Sequence, residues 1–98
     1  MTAIKDDTPV VVSRRQLSTT LGDEVVILGL DDEVYYGLDG AGARLWNLLQ
    51  TPRSLIEVVE ILLQEFDVTR ERLTADLRAL FESLNERGLL TTADSPRA

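Results

Sequence analysis

The amino-acid sequence predicts an α+β domain in which a three-stranded antiparallel sheet is followed by three helices. Between Leu17 and Leu38, three short runs rich in leucine, β-branched and aromatic residues are separated by the polar pairs Gly22-Asp23 and Asp31-Asp32. From Leu45 onward the apolar spacing lengthens to three and four residues, the period of an amphipathic helix.

The elements can be taken in order. Met1 to Arg15 carries Lys5, Asp6, Asp7 and Pro9 ahead of Val10 to Val12, and reads as a flexible N-terminal arm with at most one extra strand. Leu17 to Leu21 is the first strand of the sheet, and Gly22 supplies the positive φ that a two-residue hairpin turn requires. Val25 to Leu30 returns. After the break at Asp31-Asp32, Glu33 to Leu38 is the third strand, with Val34, Tyr36 and Leu38 on one face and Tyr35 and Gly37 on the other.

Asp39 then reads as a helix N-cap, and Leu45, Trp46, Leu48 and Leu49 as the buried side of the first helix, Trp46 being a core anchor. Gly40, Gly42 and Ala43 are small enough to let that helix approach the sheet. Ser54 and Glu57 have the spacing of a capping box, which starts a second helix expected to reach Phe66. Thr69 caps a third helix whose Leu73, Leu77, Leu80, Phe81 and Leu84 form one apolar stripe, and Gly88 ends it. Residues 91–98 read as a disordered tail, so the folded domain is placed at 16–90. Strands first and helices after make a winged-helix-like arrangement.

Composition narrows the chemistry. Ninety-eight residues make one domain, without the deep cleft that two domains enclose. With no cysteine and no histidine, the chain has no disulfide, no thiolate metal ligand, no Cys nucleophile and no imidazole base. The carboxylates Glu57, Glu60, Glu65 and Asp67 spread around their helix as a solvated face, so neither a metal nor another cofactor is expected. A net charge of −7 opposes binding to nucleic acid, which needs a clustered basic surface. A basic peptide is easier to accommodate. The opening residues form no signal peptide, and no apolar run is long enough to span a bilayer, so a cytoplasmic protein without membrane contact is expected.

The third strand is an edge in a simple meander, and edges either carry blocking residues or accept an extended peptide as an additional strand. Within Glu33, Val34, Tyr35, Tyr36, Gly37 and Leu38 there is no Lys or Pro, and Glu33 is the one charge. The third helix offers a second wall: Leu77, Leu80 and Leu84 face the core, while Asp76 on one shoulder and Phe81 and Asn85 toward the other line a groove. Core packing is an equal reading for Phe81, and an exposed pair with Arg72 one turn earlier is an equal reading for Asp76.

The tracts YYGLDGAGARLWNLL, SLIEVVEILLQEFDV and LTADLRALFESLNERGLL resemble the PqqD-like family of leader-peptide recognition domains, also called RiPP recognition elements. The resemblance spans Gln16 to Leu90 and looks closest to the stand-alone type of lasso peptide biosynthesis. It implies a non-catalytic module that binds the leader region of a ribosomally made precursor along Glu33 to Leu38, with Arg72, Asp76, Leu77, Leu80 and Phe81 beside it. The implied partners are a leader peptidase and a macrolactam synthetase. Its alternative is a peptide chaperone for a radical SAM enzyme of pyrroloquinoline quinone synthesis. The order of elements also fits a winged-helix transcription factor, against which stand ten acids and six bases between Glu33 and Leu90.

Overall fold

The computed structural model describes residues 5–93. Its elements run β1 (Val10–Val12), β2 (Gln16–Leu21), β3 (Glu24–Gly29), β4 (Tyr35–Asp39), α1 (Gly40–Leu48), α2 (Leu55–Leu62), α3 (Arg70–Glu86) and β5 (Leu90–Thr92). Strands β2, β3 and β4 form the predicted antiparallel meander, and the three helices follow it.

The β2–β3 hairpin closes at the pair Leu21 and Glu24, with Gly22 at φ +65° in the loop. Val25 and Ile27 of β3 are buried against the helices, whereas Leu17, Leu21 and Tyr35 lie on the solvent face. Trp46 is 1% exposed and its indole N–H donates to Ser18 Oγ at 3.3 Å, so the predicted anchor sits between α1 and the sheet with its polar tip satisfied.

The termini differ from expectation. Val10–Val12 forms the extra strand the sequence allows, but it is buried rather than part of a flexible arm, and it pairs with Leu90–Thr92, which the sequence reading places partly in a disordered tail. Backbone bonds from Val10 to Arg53, Val12 to Leu49 and Ser13 to Leu89 hold it between β5 and the α1–α2 loop. A strand enclosed on both faces needs no alternation, which is why three consecutive valines suit it. Residues 1–4 and 94–98, the remainder of the expected arm and tail, lie outside the described residues.

Two of the helix caps are as the sequence predicts. Ser54 Oγ accepts from the Glu57 N–H and Glu57 accepts from the Ser54 N–H, a complete capping box of the kind that contributes about 0.5–2 kcal/mol. Thr69 accepts from the Arg72 N–H. At the other end of α3, Leu89 N–H reaches Leu84 O and Gly88 N–H reaches Asn85 O, with Gly88 at φ +74°, a Schellman closure that turns the chain into β5. Helix α2 stops at Leu62, short of Phe66, because its last turn tightens: Gln64 and Glu65 donate three residues back, to Ile61 O and Leu62 O. There Glu65 meets Arg44 of α1 in a two-pronged pair at 2.7 Å, and Phe66 packs on the core. Asp39 stands at the N-cap of α1 as predicted, but its side chain makes no capping hydrogen bond.

Candidate functional site

Strand β4 pairs with β3 on one side, and among the described residues nothing pairs with the other. The Gly29 N–H donates to Val34 O at 3.0 Å, which sets the parity of the ladder. Tyr36 and Leu38 therefore direct their backbone groups at β3, and Tyr35 and Gly37 direct theirs outward. The free edge consists of the N–H and C=O groups of these two residues. Side chains alternate the other way: Tyr36 and Leu38 face the helices, and Tyr35, 70% exposed, faces solvent.

The strand begins later than expected. Glu33 and Val34 belong to the β3–β4 turn, where Glu33 takes φ +56°, a left-handed conformation that a pleated strand does not contain. The turn is held by the Glu33 N–H on Gly29 O at 2.9 Å and by Asp32 Oδ1 accepting from the Val34 N–H at 3.2 Å. Gly29 leaves room for it, since a Cβ there would meet Asp32 Oδ1 at 2.5 Å.

On the helix side, Leu38, Gly42 and Leu80 converge. A Cβ on Gly42 would stand 3.3 Å from Leu80 Cδ2 and 3.8 Å from Leu38, so the small residue lets α1 slip between β4 and α3. Leu80 is half-buried there. Leu77 and Phe81, named with it from the sequence, are 2% and 3% exposed and belong to the core rather than to any groove. The helix period explains the division: Leu73, Leu77, Phe81 and Leu84 form the buried stripe, and Leu80 sits on its shoulder. Arg72 and Asp76 pair with each other, Nε to Oδ2 at 3.6 Å, on the exposed side of α3.

Arg87 closes the other end of this shoulder, seven residues beyond Leu80 and so on the same side of the helix. Its guanidinium lies 4.9 Å from the centroid of the Tyr36 ring and its Nη1 donates to the phenol oxygen at 3.3 Å. The phenol in turn donates to Asp32 Oδ2. That hydroxyl, helped by the Val34 N–H and the Arg87 charge, holds the Asp32 carboxyl below its ordinary range. The sequence reading missed Asp32 and Arg87, treating the first as a turn residue and the second as a helix end. The seven-residue spacing from Leu80 to Arg87 was the available signal.

The site is thus a strand edge with two outward peptide groups, an apolar floor of Leu38 and Leu80, and an Asp32–Tyr36–Arg87 clasp at one end. Among the described residues, no group of three or more carboxylates stands close enough to hold a metal ion. No helix there is long and apolar enough to cross a membrane.

Residues 24–90 match the family described as coenzyme PQQ synthesis protein D (PqqD). The chain belongs to the PqqD family. Among solved structures, this PqqD-family chain is similar to one described as TbiB1 in complex with the TbiA(beta) leader peptide, at 31% identity and a TM-score of 0.75. The likeness covers 88% of this chain and 98% of the other. No curated protein matches the chain.

Proposed function

We propose that this PqqD-family chain is a binding module that takes up the leader segment of a ribosomally synthesised precursor peptide by strand addition to β4, and presents it to processing enzymes. The observation that carries the reading is the free edge of β4, where the peptide groups of Tyr35 and Gly37 point outward with no partner among the described residues. A peptide laid antiparallel along that edge gains main-chain hydrogen bonds from those two residues. Its alternate side chains fall toward Leu38, Leu80 and Tyr36 on one face and toward Tyr35 on the other. Similarity to TbiB1, which was solved with a leader peptide, supports the same assignment.

Of the residues named from the sequence, Tyr35, Tyr36, Gly37, Leu38 and Leu80 are the proposed contacts, with Arg72 and Asp76 at the far end of the groove meeting polar groups of the leader. Glu33 and Val34 shape the turn beside it. The partners we favour are a leader peptidase and a macrolactam synthetase of lasso peptide biosynthesis, in the cytoplasm. The family's description favours a second reading, delivery of the precursor to a radical enzyme of PQQ synthesis.

Titration of isotope-labelled protein with the leader peptide encoded beside its gene tests the proposal. Saturable amide shifts at Tyr35–Asp39 and along the Asp76, Leu80 and Arg87 side of α3 are expected. Absence of shifts at saturating peptide overturns strand addition.

A further inference from the structure

The sheet has a second open edge, β2, and its composition is unusual for a strand in that position. Gln16–Leu21 reads QLSTTL, six residues with no charge and no proline, so the ordinary devices that blunt an edge are missing from its sequence. Among the described residues nothing pairs with its outer side. Leu17 and Leu21 are 63% and 59% exposed, both on the solvent face.

We propose that this edge joins a second copy of the chain, antiparallel, about a two-fold axis at Thr19. Three features specify that register. The first is parity. The Arg15 carbonyl accepts from the Leu30 N–H at 3.1 Å, so odd-numbered residues of β2 direct their backbone toward β3, and Gln16, Ser18 and Thr20 direct theirs outward. Centring on Thr19 sets Ser18 opposite Thr20 of the second copy, and both carry outward groups, as a hydrogen-bonded pair demands. Thr19 meets Thr19 as the intervening close pair.

The second feature is that Leu17-Ser18-Thr19-Thr20-Leu21 reads almost identically in both directions. Two-fold pairing sets Leu17 of each copy beside Leu21 of the other on one face, covering the two exposed leucines together. The third is charge. Arg14 and Arg15 precede the strand and Asp23 and Glu24 follow it, so antiparallel pairing brings the basic end of each copy to the acidic hairpin tip of the other. A parallel arrangement would set like against like.

The joined sheet runs β4-β3-β2-β2-β3-β4. Both β4 edges stay at its ends, so association leaves the proposed leader site open on each copy. An interface of one strand pair is small, and the association is expected to depend on concentration.

Sedimentation velocity over a dilution series of the full chain tests this. The weight-average mass should rise from 10.9 kDa toward twice that value with concentration. Thr19→Lys, which sets two like charges at the axis, and Thr20→Pro, which removes an outward donor, should each weaken association about tenfold or more with the circular dichroism spectrum unchanged. Arg14→Glu and Glu24→Arg, which face each other in this register, should each weaken it alone, and an equimolar mixture of the two should restore it, because each then meets its opposite. A mass of 10.9 kDa at every concentration overturns the proposal, as does a dimer indifferent to Thr19→Lys or a mixture that stays dissociated.

Discussion

Arg87 caps the ring of Tyr36, joining the last turn of α3 to the strand whose edge is open. Nothing else described between these two elements is polar on both sides: the cation sits on the ring, donates to its hydroxyl, and the hydroxyl donates onward to Asp32. The clasp thereby spans the mouth of the groove from the β3–β4 turn to the helix. Replacing Arg87 with alanine should lower stability by only about 0.5–1 kcal/mol, the scale of an exposed cation–π contact. Its larger effect is expected on leader affinity, read by calorimetric titration, because the end wall of the groove is lost.

Position parity separates two proline substitutions. Gly37→Pro removes an outward N–H and leaves the β3–β4 ladder intact, so it should reduce leader affinity about tenfold while chemical denaturation changes by no more than about 1 kcal/mol. Tyr36→Pro removes a donor that serves β3, and should cost about 2 kcal/mol or more of stability. If both variants lost stability equally, the assignment of the free edge would be wrong.

Asp32 gives the clasp a pH dependence of definite sign. Its carboxyl is held below the ordinary range chiefly by the Tyr36 hydroxyl, so the stabilisation is present above the unfolded value of about 3.9 and is lost as pH falls through the lower folded value. Carbon-detected titration should therefore find the Asp32 midpoint below that of an unfolded aspartate. Tyr36→Phe should move it back up.

Glu33 holds a left-handed backbone without being glycine. Glu33→Gly should relieve that conformation and raise stability by up to about 1 kcal/mol, after the extra chain entropy of glycine is subtracted. Thermal unfolding measures it, and a fall in the midpoint would mean that the carboxylate holds the turn by another contact.

Phe81 tests core against groove. At 3% exposure it should behave as a packed side chain, with Phe81→Ala costing about 3–5 kcal/mol. Leu80→Ala, at the half-buried shoulder, should cost less stability and more leader affinity.

Much of this architecture is visible in the sequence, because local signals and tertiary structure agree. Gly22 marks the hairpin, Ser54 and Glu57 the capping box, Thr69 the start of α3 and Gly88 its end, and each of these is a short-range device that the structure reproduces. The pairing of β1 with β5 was not visible, since the two strands stand eighty residues apart in register and three residues each gives no period to detect. The site shows the same division. The strand edge follows from alternation, whereas the Asp32–Tyr36–Arg87 clasp depends on how α3 crosses the sheet, and Phe81 fell on the wrong side because the apolar stripe of α3 is wider than its buried part.

The pairing of Val10 with Thr92 has a topological consequence. Polypeptide entering the domain and polypeptide leaving it pass through neighbouring positions of one small ladder, with the Ala93 N–H bonded to Pro9 O at 3.0 Å. A fold with adjoining entry and exit can be spliced into a surface loop of a larger enzyme without pulling its core apart, and a tether attached at either end starts from the same place.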